Sequence, residues 1–307
     1  MTNKNLTIII AHFDFSNSKI RNEGLKKCIA SINEKVPIVL IRYVDFKKRT
    51  NFKRSNITCV DVSEAGVLWQ RERFWNMALN YISEGCENVA WIDSDICFTD
   101  DEWIEKLTIE LTSKNLVHLF DHVVDKDLNL TNDDENEFSR KSILSVLNGC
   151  SNQMSDYFGK SGISLNWGCS PGFAWATKTK IIKKCLFPDF LILGSGDKAL
   201  LSAAMGLHET YVKALKLNSY MTDKYLTWAE LFFIEIKGEI GYLENTINHI
   251  AQGEYEKRQY SDRYSIIIDE SFEFDKFLKK SMSGSWIWKS NNVFKDKIYE
   301  YFQLRED

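Results

Sequence analysis

Apolar, β-branched runs at residues 6–13, 36–44, 57–62, 88–92 and 116–120 predict buried strands. Segments with helical spacing lie between them. Residues 20–32 put Leu25, Cys28, Ile29 and Ile32 on one face, residues 67–82 align Leu68, Trp75, Ala78, Leu79 and Ile82, and residues 103–111 continue the pattern. Continuous apolar strands alternating with amphipathic helices predict an α/β fold, with a mostly parallel central sheet covered by helices on both faces. Residues 125–140 are polar and acidic and read as a loop. Gly, Trp and Ser then cluster at 167–175, and a glycine turn at 194–197 opens a helix at 199–205. Helices run to about residue 236, a strand is expected at 238–243, and a last helix spaces Phe294, Ile298 and Phe302 by four.

Ligands of doubly wound sheets bind outside the carboxyl ends of the strands. Those ends read His12/Asp14, Asp45, Asp61, Asp93/Asp95 and Asp121/His122, so every one is acidic. Asp before a helix also caps it, which is the competing explanation for Asp61 and Asp121. Asp93 and Asp95 stand two apart in Trp91-Ile92-Asp93-Ser94-Asp95-Ile96. In extended backbone such residues point to one side, and two carboxylates there repel unless a cation lies beside them. Hard oxygen ligands suit magnesium or manganese, either of which can clamp a diphosphate.

Composition narrows the function. The chain has 307 residues, 44% hydrophobic and 27% charged, which excludes a wholly disordered protein. A net charge of −4 offers no strong positive field, so no obligate nucleic-acid partner is expected. No run of about 18 apolar residues is present, so no membrane span is expected. Seven scattered Cys without a CxxC spacing, and a short first apolar run without a cleavage site, predict a reduced, cytoplasmic protein. Most of the nine Trp are expected in the core.

The order strand, helix, strand, then an apolar strand ending in D-x-D resembles the GT-A superfamily of nucleotide-sugar glycosyltransferases. The resemblance covers roughly residues 6–260 and is nearest the family 2 and family 7 inverting types. It implies manganese or magnesium on Asp93 and Asp95, with His249 in Ile247-Asn-His249 as third ligand. It implies a donor-binding set of His12, Asp14, Asp45, Arg71, Arg73, Asn76, Asp93, Ser94, Gly172 and Arg258. Arg71, Arg73 and Asn76 come from Gln70-Arg71-Glu72-Arg73-Phe74-Trp75-Asn76, which is similar to the family 7 helix before D-x-D. Arg71 would meet the diphosphate; its alternative is an ion pair with Glu72, Glu64 or Asp61. Gly168 and Gly172 lie in a glycine-aromatic stretch at 166–177 whose small residues would admit the donor sugar, the alternative being a hairpin with core Trp. Asp197 in Gly194-Ser-Gly196-Asp197-Lys198 is the candidate general base, although family 7 has Gly-Glu-Asp there.

The resemblance implies a nucleotide-sugar-binding half at 1–125, an acceptor and catalytic half at 126–265, and a helical C-terminal packing extension at 266–307. The implied activity is metal-dependent transfer of a sugar from a nucleoside-diphosphate sugar, first of all a UDP-sugar, to a glycan or other hydroxyl acceptor, with inversion. The competing functions are a metal-dependent nucleotidyltransferase or phosphohydrolase, and a non-catalytic binding protein.

Overall fold

The computed structural model describes residues 5–16, 18–43, 50–126, 139–147, 169–250, 256–260 and 262–305. The first half runs β1 (Leu6–Phe13), α1 (Lys19–Ala30), β2 (Ile38–Tyr43), β3 (Ile57–Asp61), α2 (Arg71–Ala78), β4 (Asn88–Asp93), β5 (Ile96–Phe98), α3 (Glu102–Glu110), β6 (Leu116–His118) and β7 (His122–Lys126). It continues through β8 (Ser139–Ser142), α4 (Ile143–Leu147), β9 (Cys169–Ser170), β10 (Ala174–Lys178), α5 (Thr179–Cys185) and α6 (Gly196–Ala204). Next come α7 (His208–Leu215), α8 (Ser219–Ile236), β11 (Ile240–Tyr242) and β12 (Thr246–Ile250). The C-terminal part holds α9 (Phe274–Phe277), the hairpin strands β13 (Leu278–Lys280) and β14 (Trp286–Trp288), and α10 (Val293–Arg305).

The central sheet has the order β11-β6-β10-β4-β1-β2-β3. Only β10 runs antiparallel to its neighbours, so the sheet is mostly parallel, as the sequence pattern predicts. Alternation along β1 shows why both faces are covered. Ile8 and Ile10 join a core with Leu25, Cys28 and Ile29 of α1 and Trp103 and Leu107 of α3. Ile9 and Ala11 join the other core, with Phe74 and Trp75 of α2 and the helices of the second half. Six of the nine Trp are nine-tenths buried or more in these cores, at positions 75, 91, 103, 175, 228 and 286.

A second sheet, β5-β12-β7-β8-β9, is absent from the sequence expectations. It begins where the central sheet releases the chain: β4 stops at Asp93, Ser94 and Asp95 turn, and β5 leaves to pair with β12. In that register His249 stands opposite Ile96 on one side and Asp125 on the other. The Ile250 N–H also donates to the Asp95 carbonyl at 2.8 Å.

The C-terminal extension packs on the α2 side of the central sheet, with Phe272, Phe274, Trp286, Phe294 and Ile298 in its core. Its hairpin braces the start of α2. The Gln70 amide donates to the Trp286 carbonyl at 2.7 Å and accepts from the Trp286 N–H at 3.1 Å. Among the described residues no helix is long and apolar enough to cross a membrane.

Candidate active site

Arg71 opens α2 at the carboxyl edge of the central sheet and gathers three carboxylates. Its Nη1 donates to Asp93 Oδ1 at 3.0 Å, its Nη2 to Asp197 Oδ2 at 2.8 Å, and Nη2 and Nε to Glu72 Oε1 at 2.8 and 3.1 Å. The guanidinium also lies 4.6 Å from the Trp75 ring centroid and 5.3 Å from that of Trp69. Burial works against its charge, but Asp197, Glu72 and Asp93 outweigh burial and hold Arg71 firmly cationic. Burial is also the main force on the acids. It raises Glu72 despite Arg71. Together with the charges of Asp197 and Asp95 it lifts Asp93 to about 7 despite Arg71.

Asp197 stands in the first turn of α6, where the helix dipole favours an anion. Ser195 before it takes a left-handed backbone, φ 76°. Gly196 has no room for a side chain, because a Cβ there would lie 2.0 Å from Glu72 Oε1. Gly172 faces the Asp197 carboxylate, and its Cβ would lie 3.1 Å from Asp197 Oδ2. Its carbonyl accepts from His118 Nε2 at 2.8 Å, while His118 Nδ1 faces Ser142 Oγ at 2.7 Å and the ring stacks on Trp175. Burial pushes His118 down to about 3, so it stays neutral.

Asp95 belongs to a different group. Its Oδ2 lies 3.7 Å from His249 Nε2, and His249 Nδ1–H donates to Asp125 Oδ1 at 2.6 Å. Arg140 donates to the same Asp125 oxygen at 2.7 Å. Burial raises Asp95 and Asp125, but the hydrogen bonds and charge of His249 overturn this and hold both below the usual carboxylate range, with Arg258 and Arg21 helping at Asp95 and Arg140 at Asp125. For His249, burial opposes its protonation and the two carboxylates outweigh it, so its pKa is raised. Extended backbone ends at Asp93, and the turn at Ser94 sends the Asp93 and Asp95 carboxylates to different partners.

The remaining predicted residues divide. His12 and Ser94 meet, His12 Nδ1 lying 3.1 Å from Ser94 Oγ, and His12 Nε2 is buried with no hydrogen-bond partner among the described residues. Asp14 accepts from Ser16 N and Oγ and from Asn22 Nδ2, fixing the turn into α1. Arg258 Nη1 donates to the Tyr260 hydroxyl at 3.1 Å. Asn76 bonds the N–H and C=O of Phe187 in the core, and Arg73 bonds the Gly284 carbonyl and Asp189, so both are directed away from the acidic mouth. Asp61 pairs with Arg42, and Asp121 with the Asn245 N–H and His122. Asp45 and Gly168 lie outside the described residues.

Sequence reasoning missed Asp125, Arg140 and His118 and took Glu72 only as an alternative partner of Arg71. The adjacent charges at Arg71 and Glu72 were a visible signal; Asp125 lay at the edge of an acidic stretch that read as loop.

Among the described residues no three His, Cys, Asp or Glu side chains are gathered to hold a metal ion. Asp95 and His249 supply two ligand atoms in one place, and Asp125 on the far nitrogen of His249 completes a carboxylate–histidine arrangement that presents Nε2. Magnesium-type sites commonly combine one or two protein ligands with substrate phosphates and water, so this donor set fits such an ion.

No family model matches the chain, and no curated protein matches it. Solved structures do match in backbone path. S. aureus TarS 1-349 in complex with UDP-GlcNAc aligns with 90% of this chain and 69% of its own, at 11% identity and a TM-score of 0.45. The mannosyltransferase PcManGT from Pyrobaculum calidifontis, in complex with GDP-Man and Mn2+, aligns over 98% and 69%, at 12% identity and 0.44. Glucosyl-3-phosphoglycerate synthase from Mycobacterium tuberculosis, in complex with Mn2+, UDP and phosphoglyceric acid, aligns over 85% and 77%, at 10% identity and 0.43. Likeness at this distance leaves the chemistry to this chain's own side chains.

Proposed function

We propose that the protein is a metal-dependent glycosyltransferase that moves a sugar from a nucleoside-diphosphate sugar, first of all a UDP-sugar, to a hydroxyl acceptor with inversion. One observation carries the reading. A single buried guanidinium holds Asp93, at the end of the central strand, and Asp197, at the start of α6, at 3.0 and 2.8 Å, beside the pair Asp95 and His249.

Asp197 is the proposed general base. Its Oδ2 is held by Arg71, and its Oδ1 has no hydrogen-bond partner among the described residues, so that oxygen is available to take the acceptor's proton. Gly172 keeps the space before it open, and His118 fixes the Gly172 carbonyl. Asp95 and His249 would hold manganese or magnesium, with Asp125 fixing the His249 tautomer so that Nε2 faces Asp95. When bound, the ion supplies positive charge to the departing diphosphate. Arg258 is near enough to Asp95 to help depress its pKa and would meet the same phosphates. Asp93 is assigned to orienting Arg71 rather than to the ion.

The test is thermal stabilisation by UDP, GDP and CMP with and without manganese, followed by donor-sugar hydrolysis. Stabilisation by one nucleoside diphosphate that requires the metal, with slow hydrolysis of its sugar, is expected. Turnover of a nucleoside triphosphate with release of pyrophosphate would instead support a nucleotidyltransferase.

A further inference from the structure

Lys198 and Arg263 are buried cations to which the reading above gives no task. Lys198 follows Asp197 on α6 and is 9% exposed; Arg263 is 4% exposed. Among the described residues neither side chain has an ion pair, Lys198 has no hydrogen bond, and Arg263 Nε is without a partner. They flank one ring: Lys198 Nζ lies 5.5 Å and the Arg263 guanidinium 4.8 Å from the Tyr260 centroid. The guanidinium also lies 3.2 Å from where Gly194, at φ +88°, would carry a Cβ, so the glycine turn into Asp197 leaves room for it. Burying an unpaired ion costs more than a cation gains over an aromatic face, so the ring alone does not offset two cations. The Tyr260 hydroxyl is turned to Arg258.

Tyr260 stands between this pair and Arg258, whose side of the site is proposed for the diphosphate. Lys198 directly follows Asp197, and Arg263 packs on the Gly194 turn that leads into it, so the pair lies beside the proposed base, where the acceptor hydroxyl would arrive. Burial and the neighbouring Arg263 push Lys198 well below the usual lysine range, with Asp197 opposing them. A phosphate monoester, which carries close to −2 at neutral pH, would balance Arg263 and hold the proton on Lys198, and a guanidinium offers it a fork of donors.

We propose that Lys198 and Arg263 form a phosphate subsite for the acceptor, so that the hydroxyl compound activated by Asp197 itself carries a phosphate group. This rests on the transferase reading. The experiment is a thermal-shift titration with inorganic phosphate in the presence of saturating UDP and Mg2+, against sodium chloride at matched ionic strength. Phosphate is expected to raise the Tm further in the wild type. Lys198→Met is expected to weaken that response about tenfold or more, the scale of a charge-assisted hydrogen bond, and Lys198→Arg to keep it. Lys198→Met is also expected to leave the ligand-free Tm unchanged or higher, because a buried polar group with no hydrogen bond among the described residues is gone.

An equal phosphate response in wild type and Lys198→Met overturns the proposal. So does a response that vanishes once UDP saturates, which would give the pair to the donor. A wild type that responds to UDP with Mg2+ but not to phosphate removes this inference and leaves the transferase reading standing. One that responds to phosphate through Lys198 but never to UDP removes the transferase reading and, with it, the assignment to an acceptor.

Discussion

Arg71 and His249 sit on either side of the 93–95 turn, and each is flanked by carboxylates in an opposite arrangement. Around Arg71 one cation serves Asp93, Glu72 and Asp197, all inside the junction of β4, α2 and α6. Around His249 one titratable ring lies between Asp95 and Asp125, on a sheet of short strands. The Arg71 group is closed on itself: removing a member strands a buried charge. In the proposed reading the His249 group is the one that offers Nε2 and Asp95 to a ligand. Substitutions in the first should therefore act mainly on stability or turnover, and substitutions in the second mainly on ligand affinity.

The largest effect is expected from Arg71→Met. Breaking a buried ion network by removing one partner costs about 3–5 kcal/mol, to be read as a lower midpoint in urea. Asp95→Asn, at the edge of the His249 group, should leave that midpoint nearly in place. Equal losses in the two variants would erase the contrast.

Gly196→Ala addresses the same closed group through packing. Its methyl would fall 2.0 Å from Glu72 Oε1 and 2.6 Å from Cδ, so either Glu72 gives up its place on Arg71 or α2 and α6 separate. A loss of about 1–3 kcal/mol is expected, as for other overpacked sites. An unchanged unfolding midpoint would mean that Glu72 moves aside without cost and does not tie this group together.

Part of this division is legible in the sequence. β1 and β4 are apolar on both faces because both faces are covered, and the Asp pair at the end of β4 is visible as a pair. Its parting is not visible, because it depends on β5 pairing with β12, and β5 is three residues long. The second sheet escaped for the same reason: β9 has two residues, and β7 reads His-Val-Val-Asp-Lys, too short and too polar for periodicity. Asn76 and Arg73 show the converse. Their spacing on α2 matched a family pattern, but Phe187 and the C-terminal hairpin, more than 100 residues away in sequence, engage them. Tertiary partners at such separations leave no mark in a local window.

A pH series sharpens the comparison from the scaffold side. His118 is held neutral down to about 3, against 6.5 for the free ring. Between those values the unfolded chain binds a proton that the folded chain does not, so stability falls as pH drops below 6.5. The slope from one such group is about 1.4 kcal/mol per pH unit where the difference is complete. His118→Phe should remove this contribution between pH 6.5 and 4, so that stability falls less with acid than in the wild type; His12, lowered to about 4, acts in the same direction in both proteins and Asp93, lifted to about 7, acts against it in both. An unaltered slope would take His118 out of the acid response.

The smallest effect is expected at Asp125. Asp125→Asn keeps the shape but weakens the acceptor that orients His249, and manganese affinity should fall about tenfold or more. Titration of the free protein with manganese, followed by electron paramagnetic resonance, reads this without any turnover. Affinity equal to wild type would leave Asp125 with no part in the metal site.

The most direct measurement is the manganese-dependent affinity for UDP, compared in Asp197→Asn and Asp95→Asn. The division of labour predicts wild-type affinity in Asp197→Asn, whose turnover drops by about 100-fold or more, and no metal-dependent binding in Asp95→Asn. The same loss of UDP affinity in both variants, or binding that survives in Asp95→Asn, would contradict it.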